Sequence, residues 1–366
     1  MEYKIGRSSN QQIEGAIREA TLGLRAPKLI MFFSGVEHFE AYTRGLKDAF
    51  PESMIVGATT FVGLCKEGAF KESLLVLGFE SGIECCGDVL EEVDKYPLKY
   101  VKRVEHCVNS VVNTNNTMCF TLTTALISCE ELVLSTLNSV LMKKDIPLFG
   151  GSAGDKGRAE RTMVSLNGKV YERACVFVIL KNLGGKIKFY QENIYKQTVH
   201  HFTATKVDVR NRIVYEYDGK PAALEVAKAL GTDIKHLPSY LDSYPMGRLI
   251  GKDMYITANK EITPHNGMAY HARVYKNAQM VLLEPDAYKV VVEKTIEKIK
   301  NEVPNPALTL VVHCLARSIL FEQDGYLDSF AKQMGRAFGN YIGFGGYGEQ
   351  LRRQHFNQTM IIAVFE

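Results

Sequence analysis

One pattern returns three times along this chain and limits the folds open to it: an apolar run, a segment of helical period, and a second apolar run that meets a glycine. The first round has its apolar runs at 28–34 and 54–60, with a helical pattern at 37–50 stopped by Pro51 and a closing strand at 73–79. The second places runs at 117–122 and 146–155 around a helical segment at 130–143, whose Leu132, Leu134, Leu137, Val140 and Leu141 recur at roughly helical spacing. The third uses 308–314, a helix at 325–338, Tyr341-Ile342-Gly343 and a final strand at 360–365. Short, uniformly apolar runs of this kind read as buried strands. Laying the rounds together puts Gly57, Gly150 and Gly343 at one structural place, each read as a glycine turn. The expected fold is a mixed α/β protein of two halves, built from strand–helix–strand–glycine turn–strand units whose mixed sheets are covered by helices.

Between the rounds the pattern is less regular. Ile13, Ala16, Ile17, Ala20 and Leu24 predict an amphipathic first helix over 10–24. Asn167-Gly168 predicts a hairpin joining 162–166 to the apolar strand 174–180, because both turn residues tolerate positive φ. Residues 200–208 and 213–217 alternate polar and apolar around Arg210-Asn211-Arg212, the pattern of a half-exposed hairpin. Asp218-Gly219-Lys220-Pro221 then turns the chain into a helix at 222–230 closed by Gly231. A loop is expected at 232–245, strands at 267–275 and 278–283, and a long helix at 286–303 with Lys298 and Lys300 toward its end. The domain boundary is placed at Leu183-Gly184-Gly185, which gives domains 1–184 and 185–366.

With 366 residues, 46% of them hydrophobic, the chain can bury the cores of two domains. A formal charge of +3 argues against nucleic acid or an anionic membrane as obligatory partner. Eight cysteines without CxxC or zinc spacing read as reduced core residues; the adjacent Cys85-Cys86 is the one pair with redox potential by position, and it lacks a basic neighbour. The N-terminus has no apolar leader and no run approaches the ~20 residues of a membrane span, so a cytoplasmic protein is expected.

The densest chemistry lies near the C-terminus. Gly343-Phe344-Gly345-Gly346-Tyr347-Gly348-Glu349 is followed shortly by His355-Phe356-Asn357-Gln358-Thr359. Together they resemble the motif that closes FIST domains. Cys314-Leu315-Ala316-Arg317 resembles the family's C-x-x-R, Gly150-Gly151-Ser152-Ala153-Gly154-Asp155 its N-terminal glycine turn, and Asp218-Gly219-Lys220-Pro221-Ala222 the entry to its C-terminal half. The resemblance covers most of the chain in the family's order. It implies a FIST N-terminal domain over 1–184 and a FIST C-terminal domain over 185–366. It further implies a cytoplasmic sensory protein of signal transduction that binds a small ligand, amino acids among the suggestions, and acts through a separate signalling partner. A subset of the family resembles haem-binding nitric-oxide sensors that control histidine kinases, so non-covalent haem b is a second expectation.

Arg317 follows a strand and is expected to precede a loop, where its guanidinium would grip a ligand carboxylate or pair with Glu349. Glu349 would take a ligand ammonium or cap a turn. Tyr347, Gly345 and Gly346 complete the motif around them. His355, Asn357 and Gln358 are ligand candidates whose structural alternative is to satisfy backbone groups of nearby turns. Ser152 and Asp155 are candidates from the second glycine run, Asp155 having the alternative of closing an Asx turn. For haem, His200, His201 and His313 are the histidines to weigh, and no C-x-x-C-H is present. A hydrolase using Ser152 or Cys314 is the third class; Gly150 to Gly154 spell Gly-x-Ser-x-Gly, but the polar Asp155-Lys156-Gly157-Arg158 that follows does not open a helix, as a nucleophile elbow requires. No metal site and no nucleotide motif is expected.

Overall fold

The three rounds form three copies of one module. The first runs β1 (Glu2–Ser8), α1 (Ile13–Ala20), β2 (Leu29–Ser34), α2 (Phe39–Ala49), β3 (Met54–Thr59), the hairpin β4 (Gly63–Cys65) and β5 (Gly68–Phe70), and β6 (Leu74–Ser81). β3 lies parallel to β2, with Phe32 beside Gly57, while β6 runs antiparallel to β2 and β1 antiparallel to β6. Ala16, Ile17 and Ala20 of α1 and Phe39, Tyr42 and Leu46 of α2 pack on Ile30, Phe32 and Ile55 of the sheet. Each such large apolar side chain contributes about 2 kcal/mol when fully removed from water.

The second module repeats the order with β7 (Ile83–Glu91), α3 (Val101–Ser110), β8 (Thr117–Thr123), α4 (Glu130–Leu141), β9 (Leu148–Ser152), β10 (Val164–Leu166), β11 (Lys169–Tyr171) and β12 (Ala174–Asn182). The third opens on β13 (Ile187–Asn193) and is then interrupted. The interruption carries β14 (Tyr195–Asp208), β15 (Ile213–Tyr217), β16 (Lys220–Pro221), α5 (Ala222–Ala229), β17 (Met246–Ile250), β18 (Asp253–Thr257), β19 (Asn259–Thr263), β20 (Gly267–Tyr270) and β21 (Gln279–Pro285). The module resumes with α6 (Tyr288–Glu302), β22 (Leu308–Cys314), α7 (Leu315–Gln323), α8 (Leu327–Phe338), β23 (Tyr341–Gly346), β24 (Gly348–Leu351), β25 (Gln354–Phe356) and β26 (Thr359–Phe365). This computed structural model describes residues 1–366.

The modules exchange their short excursion strands in a cycle. β4 of the first pairs with β23 of the third, β24 of the third with β9 of the second, and β10 of the second with β3 of the first. The three sheets therefore share one order: a leading strand, the closing strand, the parallel pair and a borrowed strand. Between them Met31, Phe33, Phe120, Phe149, Leu310 and Phe344 line a void of only about 10 Å³, too small for a ligand. Phe33 and Phe344 stack there at 4.6 Å.

The chain divides into two compact units: residues 1–191, 296–353 and 360–366 in one, and 192–295 with 354–359 in the other. This differs from the expected division at 184/185. Gly184 and Gly185 lead from β12 into β13, which is the leading strand of the third sheet, so the chain stays within the first unit there. The second unit is built from the segment inserted at the end of β13 together with residues 354–359. In it β14 pairs antiparallel with both β15 and β21, and Val214, Tyr217, Val226, Met268, Met280 and Leu282 form a core of its own. The buried hydroxyls of Tyr217 and Tyr270 bond each other at 2.6 Å.

Three expectations are corrected. Gly57, Gly150 and Gly343 are strand residues of β3, β9 and β23, not turns. The Asn167-Gly168 turn joins β10 to the short β11, with Val164 opposite Tyr171, because a two-residue turn pairs its immediate flanks; β12 belongs to the second sheet. Arg317 stands on a helix, since α7 starts directly after β22. No helix is long and apolar enough to cross a membrane.

Candidate functional site

In open α/β sheets ligands are held beyond the carboxyl ends of parallel strands. In the third module those ends are Cys314 and Gly346, which lie side by side in register. From each, the candidate residue is three positions on: Arg317 in the first turn of α7, Glu349 in β24. Both are buried, Arg317 at 1% and Glu349 at 0% exposure. The Arg317 guanidinium lies over the Phe321 ring, 5.0 Å from its centre. A cation at a helix N-terminus opposes the helix dipole, and burying it removes its hydration, so this position is electrostatically costly without an anion nearby.

Beneath Arg317, the Ser318 hydroxyl donates to the Cys314 carbonyl at 3.0 Å and lies 2.7 Å from Nδ1 of His313. With its proton committed to the carbonyl, Ser318 accepts from Nδ1–H, which leaves the lone pair on Nε2. That nitrogen is buried without a hydrogen-bond partner. The imidazole packs between Phe321 and Phe330, with ring centres at 5.4 and 5.0 Å. Burial, then the Arg317 charge, hold its pKa well below the usual histidine range, so it is neutral.

The module ends are stitched together by backbone. Gly154 N–H donates to Thr59 at 2.8 Å, Ala153 N–H to Thr123 at 2.8 Å and Phe61 N–H to Gly345 at 3.0 Å. A Cβ at Gly346 would sit 2.0 Å from the Ser152 carbonyl oxygen, and one at Gly154 2.4 Å from that of Gly345. Only glycine lets these backbones approach so closely. Gly345 and Gly346 thus floor this end of the sheet.

Asp155 and Tyr347 meet above that floor. The Tyr347 hydroxyl donates to Asp155 Oδ1 at 2.6 Å and accepts from Ala159 N–H at 2.9 Å. The carboxylate also receives the amides of Gly157, Arg158, Glu160 and Arg161. Burial raises the Asp155 pKa, but the hydroxyl and these amides outweigh it and the net shift is downward. Burial and the adjacent carboxylate push the Tyr347 phenol up. Ser152 is fully buried at the end of β9, its Oγ 3.5 Å from Oε1 of Glu130 in the first turn of α4, and the next helix does not follow it.

The remaining candidates fall in the other compact unit. Gln354–Thr359 belongs there, so His355, Asn357 and Gln358 are not in the same body as Arg317 and Glu349. Asn357 Oδ1 accepts the Ala258 amide at 3.3 Å, Gln358 Nε2 donates to the Asp242 carbonyl at 3.1 Å, and the His355 carbonyl accepts from Arg248 at 2.6 Å. Gly57, Gly150 and Gly343 do not share a cavity. A Cβ on Gly57 would meet the Phe32 ring that stacks on α2, and one on Gly343 would meet Val311.

Sequence reasoning did not single out Ser318, Glu130 or Gln350. Gln350 is buried and bonds Thr121 and Thr123 at 3.1 to 3.4 Å. The alternating Thr121-x-Thr123 in an otherwise apolar strand was the available sign. Three histidines are the candidates for haem: His313, His200 and His201. His313 is closed off by two phenylalanine rings, and His201 is exposed on β14 beside a half-buried His200.

These features define a mixed α/β protein of three hairpin-exchanging modules with a β-rich insertion, carrying buried charge at the strand ends of its third module. Residues 28–220 match the model of the FIST N domain and residues 222–352 that of the FIST C domain, so the chain belongs to the FIST family. The boundary between those matches falls inside the inserted unit. An uncharacterized protein of Methanocaldococcus jannaschii is 25% identical over 389 aligned positions, which span 92% of this chain and 73% of that protein. FIST domains are associated with sensing in signal transduction.

Proposed function

We propose that this protein is a cytoplasmic sensory module that binds a small zwitterion, a free amino acid or a close analogue, and reports it to a separate signalling partner. Arg317 takes the ligand carboxylate, helped by the positive end of the α7 dipole, and Glu349 takes the ammonium. The observation that supports this reading most is the buried guanidinium in the first turn of α7, where the helix dipole disfavours a cation and favours an anion brought to it. Gly345 and Gly346 give the backbone floor, Ser152 a hydroxyl at the neighbouring strand end, and Asp155 with Tyr347 holds the flanking loop in place. His355, Asn357 and Gln358 serve the local fold of the inserted unit through their backbone bonds.

The test is thermal melting of the full chain with free amino acids one at a time. A ligand that binds only the native state raises the midpoint with concentration. Arg317→Lys and Glu349→Gln keep approximate volume while changing the recognition. They are expected to abolish the shift while the variants still melt cooperatively. If the two residues serve only as a structural pair, both variants lower the midpoint and no amino acid raises that of the unaltered protein.

A further inference from the structure

Six of the eight cysteines are buried or point away from the pair, but Cys86 and Cys107 face each other. Their Sγ atoms are 2.8 Å apart, Cys86 on β7 and Cys107 on α3. None of the eight is joined in a disulfide. Cys65, Cys119, Cys129, Cys175 and Cys314 are buried, and Cys65 donates to Glu67. Cys85 alternates with Cys86 along β7, so its side chain leaves the opposite face of the sheet. Cys86 is half-buried whereas Cys107 is 1% exposed, so the pair has one sulfur reachable from solvent and one sealed behind it.

We propose that Cys86 and Cys107 are a redox dithiol, which a small-molecule disulfide converts to an intramolecular disulfide fastening α3 to β7. The Cys86 thiolate attacks one sulfur of the oxidant, forming a mixed disulfide and expelling the first oxidant half as thiolate. That thiolate, or water, takes the Cys107 proton; the Cys107 sulfur then attacks Cys86 Sγ and expels the second half. The protein loses two hydrogens and two electrons, and the oxidant leaves as two thiols. Burial, then the neighbouring Cys86 sulfur, raises the Cys107 pKa, which suits it to resolving a mixed disulfide and not to starting the exchange. The vicinal Cys85 cannot substitute, because its side chain points to the other face. Oxidation would clamp α3, which packs on α4, the helix whose first turn carries Glu130.

The experiment treats the native full chain with glutathione disulfide, counts free thiols and maps unreduced peptides by mass. The expected result is loss of two of the eight thiols, one Cys86–Cys107 linked peptide and no retained glutathione. Cys85→Ser should behave identically, and Cys107→Ser should keep glutathione on Cys86. A Cys85–Cys86 linkage, a stable glutathione adduct on Cys86 of the unaltered protein, or eight thiols surviving treatment would each overturn the proposal.

Discussion

The Tyr347 hydroxyl donates to Oδ1 of Asp155 at 2.6 Å and so ties the loop after β9 to the turn between β23 and β24, two segments from different modules. That one carboxylate also gathers four backbone amides of the loop at 157–161. Tyr347→Phe removes the hydroxyl's bonds to both Asp155 and the Ala159 amide and should cost about 1–2 kcal/mol in denaturant melts, with Asp155→Ala costing more because several amides lose their acceptor.

The same contact sets a pH dependence. The folded Asp155 pKa lies below that of the unfolded chain, about 3.9, so its stabilisation is complete above that value and is lost as pH falls through the lower folded value. Denaturant melts from about pH 6 down to about pH 2 should show a shallower acid loss in Asp155→Asn than in the unaltered protein.

His313 carries the same sign in a higher pH window. Its folded pKa is depressed, so below about pH 6.5 the unfolded chain takes up a proton that the native state refuses, and stability falls as pH is lowered. Above that value the effect vanishes. His313→Asn keeps a donor near Ser318 and should flatten the slope between about pH 5 and pH 6.5. An imidazole that titrates near the usual value in the folded protein by NMR would contradict the buried, neutral assignment.

Gly150 shows why the repeated glycines are needed. A Cβ there would sit 2.1 Å from the Thr121 carbonyl oxygen, in the parallel strand beside it. Gly150→Ala should cost roughly 3 kcal/mol or prevent folding. At Gly219, with φ +78 and open space around it, alanine should cost only about 1 kcal/mol from backbone strain. Comparing the two melting midpoints separates steric from conformational need.

The parallel pairs β2 with β3, β8 with β9 and β22 with β23 were legible because both faces are buried, which makes the sequence continuously apolar. β1 and β7 were not, since half-exposed strands such as Glu2–Ser8 mix charges with apolar residues and read as polar chain. The exchange of β4, β10 and β24 lies beyond a local reading. These strands are three or four residues long, and what fixes their partners is packing between distant segments. At the site, the C-x-x-R and glycine motifs marked Arg317 and Glu349. The helix beginning at Leu315 was hidden because no Gly, Pro or polar cap separates it from β22. The division into units was equally hidden: an insertion after one strand leaves no composition shift at its edges.

The central claim is that Arg317 and Glu349 recognise the two charges of one ligand. Calorimetric titration of the full chain with an amino acid that raises the melting midpoint, set beside its amide and its N-acetyl derivative, tests this most directly. Loss of either ligand charge should weaken binding by about tenfold to a hundredfold, as expected for a charge-assisted bond. Arg317→Lys should erase the penalty for the amide, and Glu349→Gln that for the N-acetyl form. Equal affinity for all three ligands, or discrimination that survives both substitutions, would contradict the account.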